Sequence, residues 1–563
     1  MSPARFLLLL PLVLGSVVFS PARAQSPPDP VKYWIFFTDK GTGAGKKADA
    51  VPVRPEALAR RARRGGAIPS EIDRGPSPDY LDALRTLGVT PLVESRWLNA
   101  VSARLSSGTL AAVRALPFVR GVRPVGGVKP LDTEPPRPLV EASPVAPASG
   151  AFRLEYGNSE GQLALVNDIS VLERGIDGAG VRLGLLDTGI GDLTKHPAFA
   201  RMLDEGRLIE SRDFTNQPDD GSRHGRSVLS VAAGFDEGNL IGPANGAEIL
   251  HARTEYTPTE TNQEEDNFVA GLEWLESMGV DVVNVSLGYS KFDAGERSYT
   301  VEDMNGDTAV TSIAADRAAA LGVTMVSSAG NEGCSSPDLC WYFITSPADA
   351  DSVITVGAVS ISGARASFSS FGPTADGRIK PDVAAMGVSV WLASSDTGYG
   401  FSNGTSFSSP MVAGVVAQIL QVNPDLGPIE VRDLLRATAS RAENPDNALG
   451  WGIIDADAAV TLAEAMATAT EAADAPAPLS VTLFPNPVAG AATFEVRAPL
   501  RPVPVRLSIF DVLGRRVAVP FEGLLAPGLN RLHFDAAPLP PGIYFYTLEN
   551  GRVRQSGNLV VMR

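Results

Sequence analysis

The chain has 563 residues, 44% hydrophobic and 20% charged, enough for about three to four domains of roughly 100 to 200 residues. Gly (55) and Pro (44) stay below the ~25 to 30% of a low-complexity chain, which excludes global disorder. With 48 basic against 64 acidic residues the formal charge is −16; a duplex-binding domain needs a basic footprint, so no nucleic acid is expected as a partner.

In chain order, Arg5 precedes an apolar run from Phe6 to Phe19, broken by Pro11 and Gly15 and shorter than the ~20 residues of a bilayer span. The small residues Ala22 and Ala24 flank Arg23 after it. Basic start, apolar middle and small-x-small site predict a secretory signal over residues 1–24, cleaved before Gln25.

Residues 31–125 alternate strand-like runs (VKYWIFF, WLNAVSARL, VRGVRPV) with helix-like ones (PEALARRARR, SPDYLDALRTLG, SGTLAAVRALP), which predicts a small α+β unit. Its cluster Arg60, Arg61, Arg63 and Arg64 reads as a solvated helix face, with a processing site as the alternative. A Pro-rich stretch (130–149) closes the segment 25–150, and a second Ala/Pro-rich stretch (466–479) forms a linker further on. The first segment carries 18 basic and 12 acidic residues, whereas 151–465 carries 19 basic and 45 acidic ones. The acidity belongs to one block.

That block, 151–465, separates short apolar runs (GVRLGLLD, GVDVVNVSL, GVTMVSSAG, SVITVGAV) by helical patterns (NFVAGLEWLESMG, TSIAADRAAALG). Buried strands alternating with helices predict an α/β domain with a doubly wound parallel sheet. Ligands on such sheets bind beyond the carboxyl ends of the strands, where Asp187, Ser286 and Asn331 fall. The last segment, 480–563, reads as short strands joined by turns, a small all-β sandwich.

The only cysteines, Cys334 and Cys340, share the loop GNEGCSSPDLCWY. In an exported protein they are expected to form a local disulfide; two thiols are too few for a structural zinc site.

Four histidines make the search for a general base an elimination. His196 lies in Lys-His-Pro, His251 ends the run AEILHAR and His533 belongs to the last segment; His224 remains, in a Gly- and Ser-rich loop that opens a helix. Ser406 follows Gly404-Thr405 and starts a long apolar helix, whose N-terminus favours a developing anion; an N-capping serine is the plainer alternative. Asp187 ends a strand in Asp-Thr-Gly, placed to orient an imidazole. The order Asp, His, Ser is one of three known triad orders, and it goes with a parallel sheet.

With Asp187-Thr188-Gly189, His224-Gly225, Asn284-Val285-Ser286-Leu287-Gly288, Ser328-Ala329-Gly330-Asn331 and Gly404-Thr405-Ser406-Phe407-Ser408-Ser409-Pro410 in that order, the sequence resembles the subtilisin-like serine peptidases, or subtilases. Phe371-Gly372-Pro373, Lys380-Pro381-Asp382 and Gly450-Trp451-Gly452 fit as well. The resemblance implies a secreted serine endopeptidase with Ser406 as nucleophile, His224 as general base and acid, and Asp187 orienting His224. It implies Asn331 as oxyanion donor, and a cleft for protein or peptide substrates lined by Ser286, Leu287, Gly288, Ser328, Ala329 and Gly330. It also implies that residues 25–150 are a propeptide, the chain's own partner until cleavage in the 130–155 region. No organic cofactor is implied. Structural calcium is common in the family, and the loop from Glu302 to Asp307 is a candidate without the spacing of a full EF-hand.

One departure stands out: where the family usually has a small residue after His-Gly, this chain has Arg226, expected to lower the pKa of His224 or reach into the cleft. Two rival readings fall short. An aspartic protease built on Asp187 and Asp396 fails because no apolar strand leads into Asp396 and such enzymes are all-β. A catalytically silent surface-binding protein on the same scaffold predicts a missing triad member, and none is missing. Finally, Leu483-Phe484-Pro485-Asn486-Pro487, Ile509-Phe510-Asp511-Val512-Leu513-Gly514-Arg515 and Pro541-Gly542-Ile543-Tyr544 resemble the type IX secretion sorting domain of Bacteroidota-like Gram-negative bacteria. That implies an outer-membrane secretion machinery as partner and a secreted or cell-surface destination.

Overall fold

The computed structural model describes residues 30–41, 52–64, 71–125, 153–333, 343–474, 480–498, 503–525, 528–549 and 554–562. The signal segment, the Pro-rich stretch 130–149 and both cysteines lie outside the described residues.

The N-terminal unit is α+β, as its alternating runs predict. Val93–Ser95, Ala100–Leu105, Val31–Phe37 and Val119–Pro124 form, in that order, a four-stranded antiparallel sheet. Side chains alternate across a strand, and both faces of Val31–Phe37 are used. Ile35 and Phe37 pack with Leu81, Leu84 and Val113 of the unit's own helices. Trp34 and Phe36 instead join Phe268, Leu272 and Leu275 of the helix Gln263–Ser277, in the acidic block.

The Arg cluster corrects the reading of a solvated helix face. Arg60 and Arg61 are fully buried. Arg60 pairs with Glu276; Arg61 grips Asp73 and Glu276 at 2.8 Å each; Arg96 reaches Asp73 at 3.0 Å and Glu276 at 3.2 Å. Glu273 accepts from the Trp97 backbone N–H at 3.1 Å. Three guanidiniums thus meet three carboxylates out of water, an arrangement tolerable only because the charges balance and are hydrogen-bonded. Lys32 adds a buried pair with Asp266 at 2.7 Å.

The acidic block is α/β, as expected. Its seven-stranded sheet runs Val383–Met386, Ile354–Val359, Thr324–Ser328, Val282–Val285, Arg182–Asp187, Glu248–Arg253, Leu208–Asp213, with every neighbouring pair parallel. Leu183, Leu185 and Val282 point to a layer holding helices His224–Ala233, Thr405–Val422 and Pro428–Thr438. Leu186, Val283 and Val285 point to the opposite layer, with Gln263–Ser277 and Val310–Ala320. From the strand ending at Asp187 the chain passes to the edge strand Leu208–Asp213, returns through Glu248–Arg253 on one side of it and then crosses to Val282–Val285 on the other, the switch point where such sheets open a crevice.

A helix Ala456–Asp474 runs into the segment expected as a linker from residue 466; its Ala-rich composition favours helix over coil. The C-terminal segment folds as two antiparallel sheets of three and four strands around Phe494, Val496, Leu507, Ile509 and Leu548. No helix among the described residues is long and apolar enough to cross a membrane.

Candidate active site

Asp187 is the last residue of its strand and fully buried. Its Oδ1 accepts from the Thr188 backbone N–H at 2.7 Å and from His224 Nδ1 at 2.7 Å. His224 therefore carries its proton on Nδ1 and presents Nε2 outward, and its side chain stays 32% exposed. The helix His224–Ala233 approaches closely because Gly225 has no side chain: a Cβ there would stand 2.6 Å from the Thr188 carbonyl oxygen. Burial pushes the His224 pKa down, but the charge and hydrogen bond of Asp187, aided by Glu255, raise it above its ordinary value.

Ser406 is the second residue of the helix Thr405–Val422, and the ring of Phe407 lies 5.7 Å from the imidazole. Its hydroxyl donates to the Ser286 carbonyl at 3.3 Å. In return, Ser286 Oγ donates to the Ser406 carbonyl at 2.9 Å. Pro410, four residues on, has no N–H to offer that carbonyl, so the serine stands in for the missing helical donor. Asn284 holds Ser286 in place, donating from Nδ2 to its Oγ at 2.9 Å, and accepts from Ser409 Oγ at 2.7 Å.

Asn331 turns its oxygen inward, where Oδ1 accepts the Thr405 N–H and hydroxyl, each at 2.9 Å. A backbone N–H can only donate, so the amide is fixed this way round and Nδ2 is its free donor end. That nitrogen lies 3.7 Å from the place a Gly404 side chain would begin, and Gly404, at φ +152°, leaves the place empty. The strands ending at Val285 and Ser328 are adjacent and parallel, so Ser286, Leu287 and Gly288 run beside Ser328, Ala329 and Gly330; Ser328 Oγ reaches the Leu287 carbonyl at 3.5 Å.

Sequence reasoning passed over several supporting residues. His251 is buried, donates from Nε2 to the Thr188 carbonyl at 2.8 Å and meets Ser211 Oγ at 2.8 Å, which braces the turn after Asp187. Glu255 is 7% exposed and accepts from the Tyr289 hydroxyl at 2.7 Å. Neither sits in a motif; only the contact map shows what they touch.

Arg226 departs from its expected role. Its side chain is 2% exposed and pairs with Asp396, away from the cleft, and the His224 pKa is raised rather than lowered. Helix position explains this: one turn cannot present both residue 224 and residue 226 to the same side. Asp396 is thereby spoken for by a cation, unlike Asp187, which disposes of an aspartic dyad. Asp303 caps the Thr300 backbone N–H at 2.8 Å, and no group of three or more His, Cys, Asp or Glu among the described residues is placed to hold a metal ion. Cys334 and Cys340 lie outside the described residues.

Three family profiles match separate stretches: the subtilase family over residues 178–452, the Bacteroidota peptidase S8 propeptide domain over 32–136 and the secretion-system C-terminal sorting domain over 482–562. Subtilisin DY of Bacillus licheniformis is 32% identical over 299 residues, 53% of this chain and 97% of that protein. Subtilisin NAT of Bacillus subtilis subsp. natto is 32% identical over 334 residues, 59% of this chain and 77% of that one. A subtilisin of Bacillus pumilus is 34% identical over 270 residues, 47% and 86% of the two chains.

Proposed function

The chain belongs to the subtilase family of serine endopeptidases, and from that premise we propose that it is a zymogen whose Asp187, His224 and Ser406 hydrolyse peptide bonds through an acyl-enzyme. The observation that carries this reading is the 2.7 Å bond from His224 Nδ1 to Asp187 beside a serine at a helix N-terminus. A turn of the Ser406 hydroxyl away from the Ser286 carbonyl brings its proton to His224 Nε2. Oγ then attacks the scissile carbonyl, and His224 passes the proton to the leaving amine. The imidazolium formed in between is stabilised by Asp187.

Negative charge develops on the substrate oxygen at the start of the helix. Asn331 Nδ2 and the Ser406 backbone N–H are the donors assigned to it, and losing one such donor costs ~10² to 10³ in turnover, a figure taken from subtilisin. Ser286 to Gly288 and Ser328 to Gly330 would flank an extended peptide as neighbouring strands. No cofactor is assigned to any step.

The propeptide domain covers one face of the catalytic domain through its buried ion pairs, in line with opposite net charges on the two segments. We assign it the role of folding aid and inhibitor until cut. The sorting domain is assigned to export through the outer-membrane secretion machinery, with the mature enzyme at the surface or released.

Intact mass over time, for residues 25–563 and the Ser406→Ala variant handled alike, tests this. Self-cleavage within 130–155 is expected only when Ser406 is present. If neither protein is cut and a fluorophosphonate fails to label Ser406, the scaffold is a silent binding protein.

A further inference from the structure

Gly288 and Gly330 face each other across the two segments assigned to the substrate cleft, and between bare glycines a flat slot is expected, wide enough for a large side chain. The slot is filled. Thr345 sends its hydroxyl into it: Oγ1 lies 2.4 Å from where a Cβ on Gly288 would stand and 3.2 Å from where one on Gly330 would stand. The residue is 3% exposed, and its hydroxyl is buried with no hydrogen-bond partner among the described residues. Polar satisfaction therefore does not explain the placement, since a buried hydroxyl without a partner is unfavourable.

Nor can Thr345 withdraw easily. Ile344 before it is fully buried in a cluster with Ala329 and Ala348. Ser346 after it accepts the Tyr289 backbone N–H at 2.7 Å, and Gly330 is tied to Ser370 by a backbone bond of 2.9 Å. Floor and walls are fixed to one another, so the hydroxyl stays where the substrate side chain would enter.

We infer that Thr345 plugs the primary specificity pocket and restricts the residue on the acyl side of the scissile bond to small side chains such as alanine. The inference rests on the peptidase reading above and deepens it by naming the substrate class. A larger side chain would have to displace a packed floor, and overpacking is itself unfavourable. A single methylene of misfit in such a pocket changes kcat/KM by about 10- to 200-fold.

The test uses self-processed enzyme and peptide p-nitroanilides that differ only in alanine or phenylalanine at that position. The unaltered enzyme is expected to favour alanine at least tenfold in kcat/KM. Thr345→Gly should raise the phenylalanine-to-alanine ratio of kcat/KM at least tenfold, with Thr345→Ala intermediate and available if the glycine variant folds poorly. A preference for phenylalanine in the unaltered enzyme, or a ratio unmoved by both variants in active protein, overturns the plug alone. Absence of turnover and of fluorophosphonate labelling at Ser406 in the unaltered enzyme overturns the peptidase reading, and the plug with it.

Discussion

Ser286 Oγ donates to the Ser406 carbonyl at 2.9 Å, the acceptor that Pro410 strips of its helical donor. A strand-end residue beside the substrate cleft and the backbone of the nucleophile are thus joined directly, and Asn284 and Ser409 close the network behind them. The helix can carry a proline in its second turn because the sheet supplies the missing bond.

Ser286→Ala is therefore expected to act on the nucleophile without touching the triad. A carbonyl left without a donor costs about 1 to 3 kcal/mol when fully buried and less for this part-buried one, so the melting temperature should fall. If the freed helix start misplaces Ser406, kcat should drop about tenfold with little change in KM. Steady-state kinetics beside thermal unfolding in a Ser406→Ala background separate the two effects; an unchanged kcat shows that the bond serves stability alone.

The parallel sheet and the Asp187, His224, Ser406 order were legible because apolar runs, their spacing and the flanking Gly residues are local features. What escaped was long-range. Arg60 and Arg61 look like solvent-facing charges on an amphipathic helix, and only the fold shows Glu276 waiting 215 and more residues away. Arg226 is equally opaque in the sequence, since its partner Asp396 lies 170 residues on. Thr345 belongs to no motif, and its importance comes from two glycines opposite it.

Glu276→Gln should loosen the grip of the propeptide. It leaves Arg60 and Arg61 buried with a charge removed, and breaking one partner of a buried pair costs about 3 to 5 kcal/mol. For a cut but unreleased complex this corresponds to roughly 10² to 4 × 10³ in affinity. Progress curves of peptide hydrolysis after self-cleavage should show faster loss of inhibition in the variant, and identical curves would count against the ion network as the clamp.

The pH profile follows from the direction of the His224 shift. Because its pKa is raised from 6.5, the imidazole remains protonated, and so unable to accept the Ser406 proton, to a pH above 6.5. The acidic limb of kcat/KM should lie there. Glu255 makes the smallest contribution to the rise, and burial raises its own pKa to about 7, so Glu255→Gln should move the limb only slightly to lower pH while the Asp187 bond keeps the ring in place. A limb at or below 6.5 in the unaltered enzyme contradicts the electrostatics of the site.

Asp168 gives the clearest stability prediction. It is fully buried, neither carboxyl oxygen has a partner among the described residues, and burial, opposed only by neighbouring Gln418, pushes its pKa up to about 7 from 3.8. A raised folded-state pKa means that stability is whole below the unfolded value, falls as pH climbs past about 4, and stays reduced above 7. The difference of about three units is worth on the order of 4 kcal/mol. Asp168→Asn carries no charge at any of these pH values, and its amide can donate to Gln418 Oε1, itself buried without a partner among the described residues. In a Ser406→Ala background, which prevents self-digestion, the variant should be more stable than its parent at pH 8. The gap should close towards pH 4. A gap that stays constant with pH would show that Asp168 is not a strained buried carboxylate.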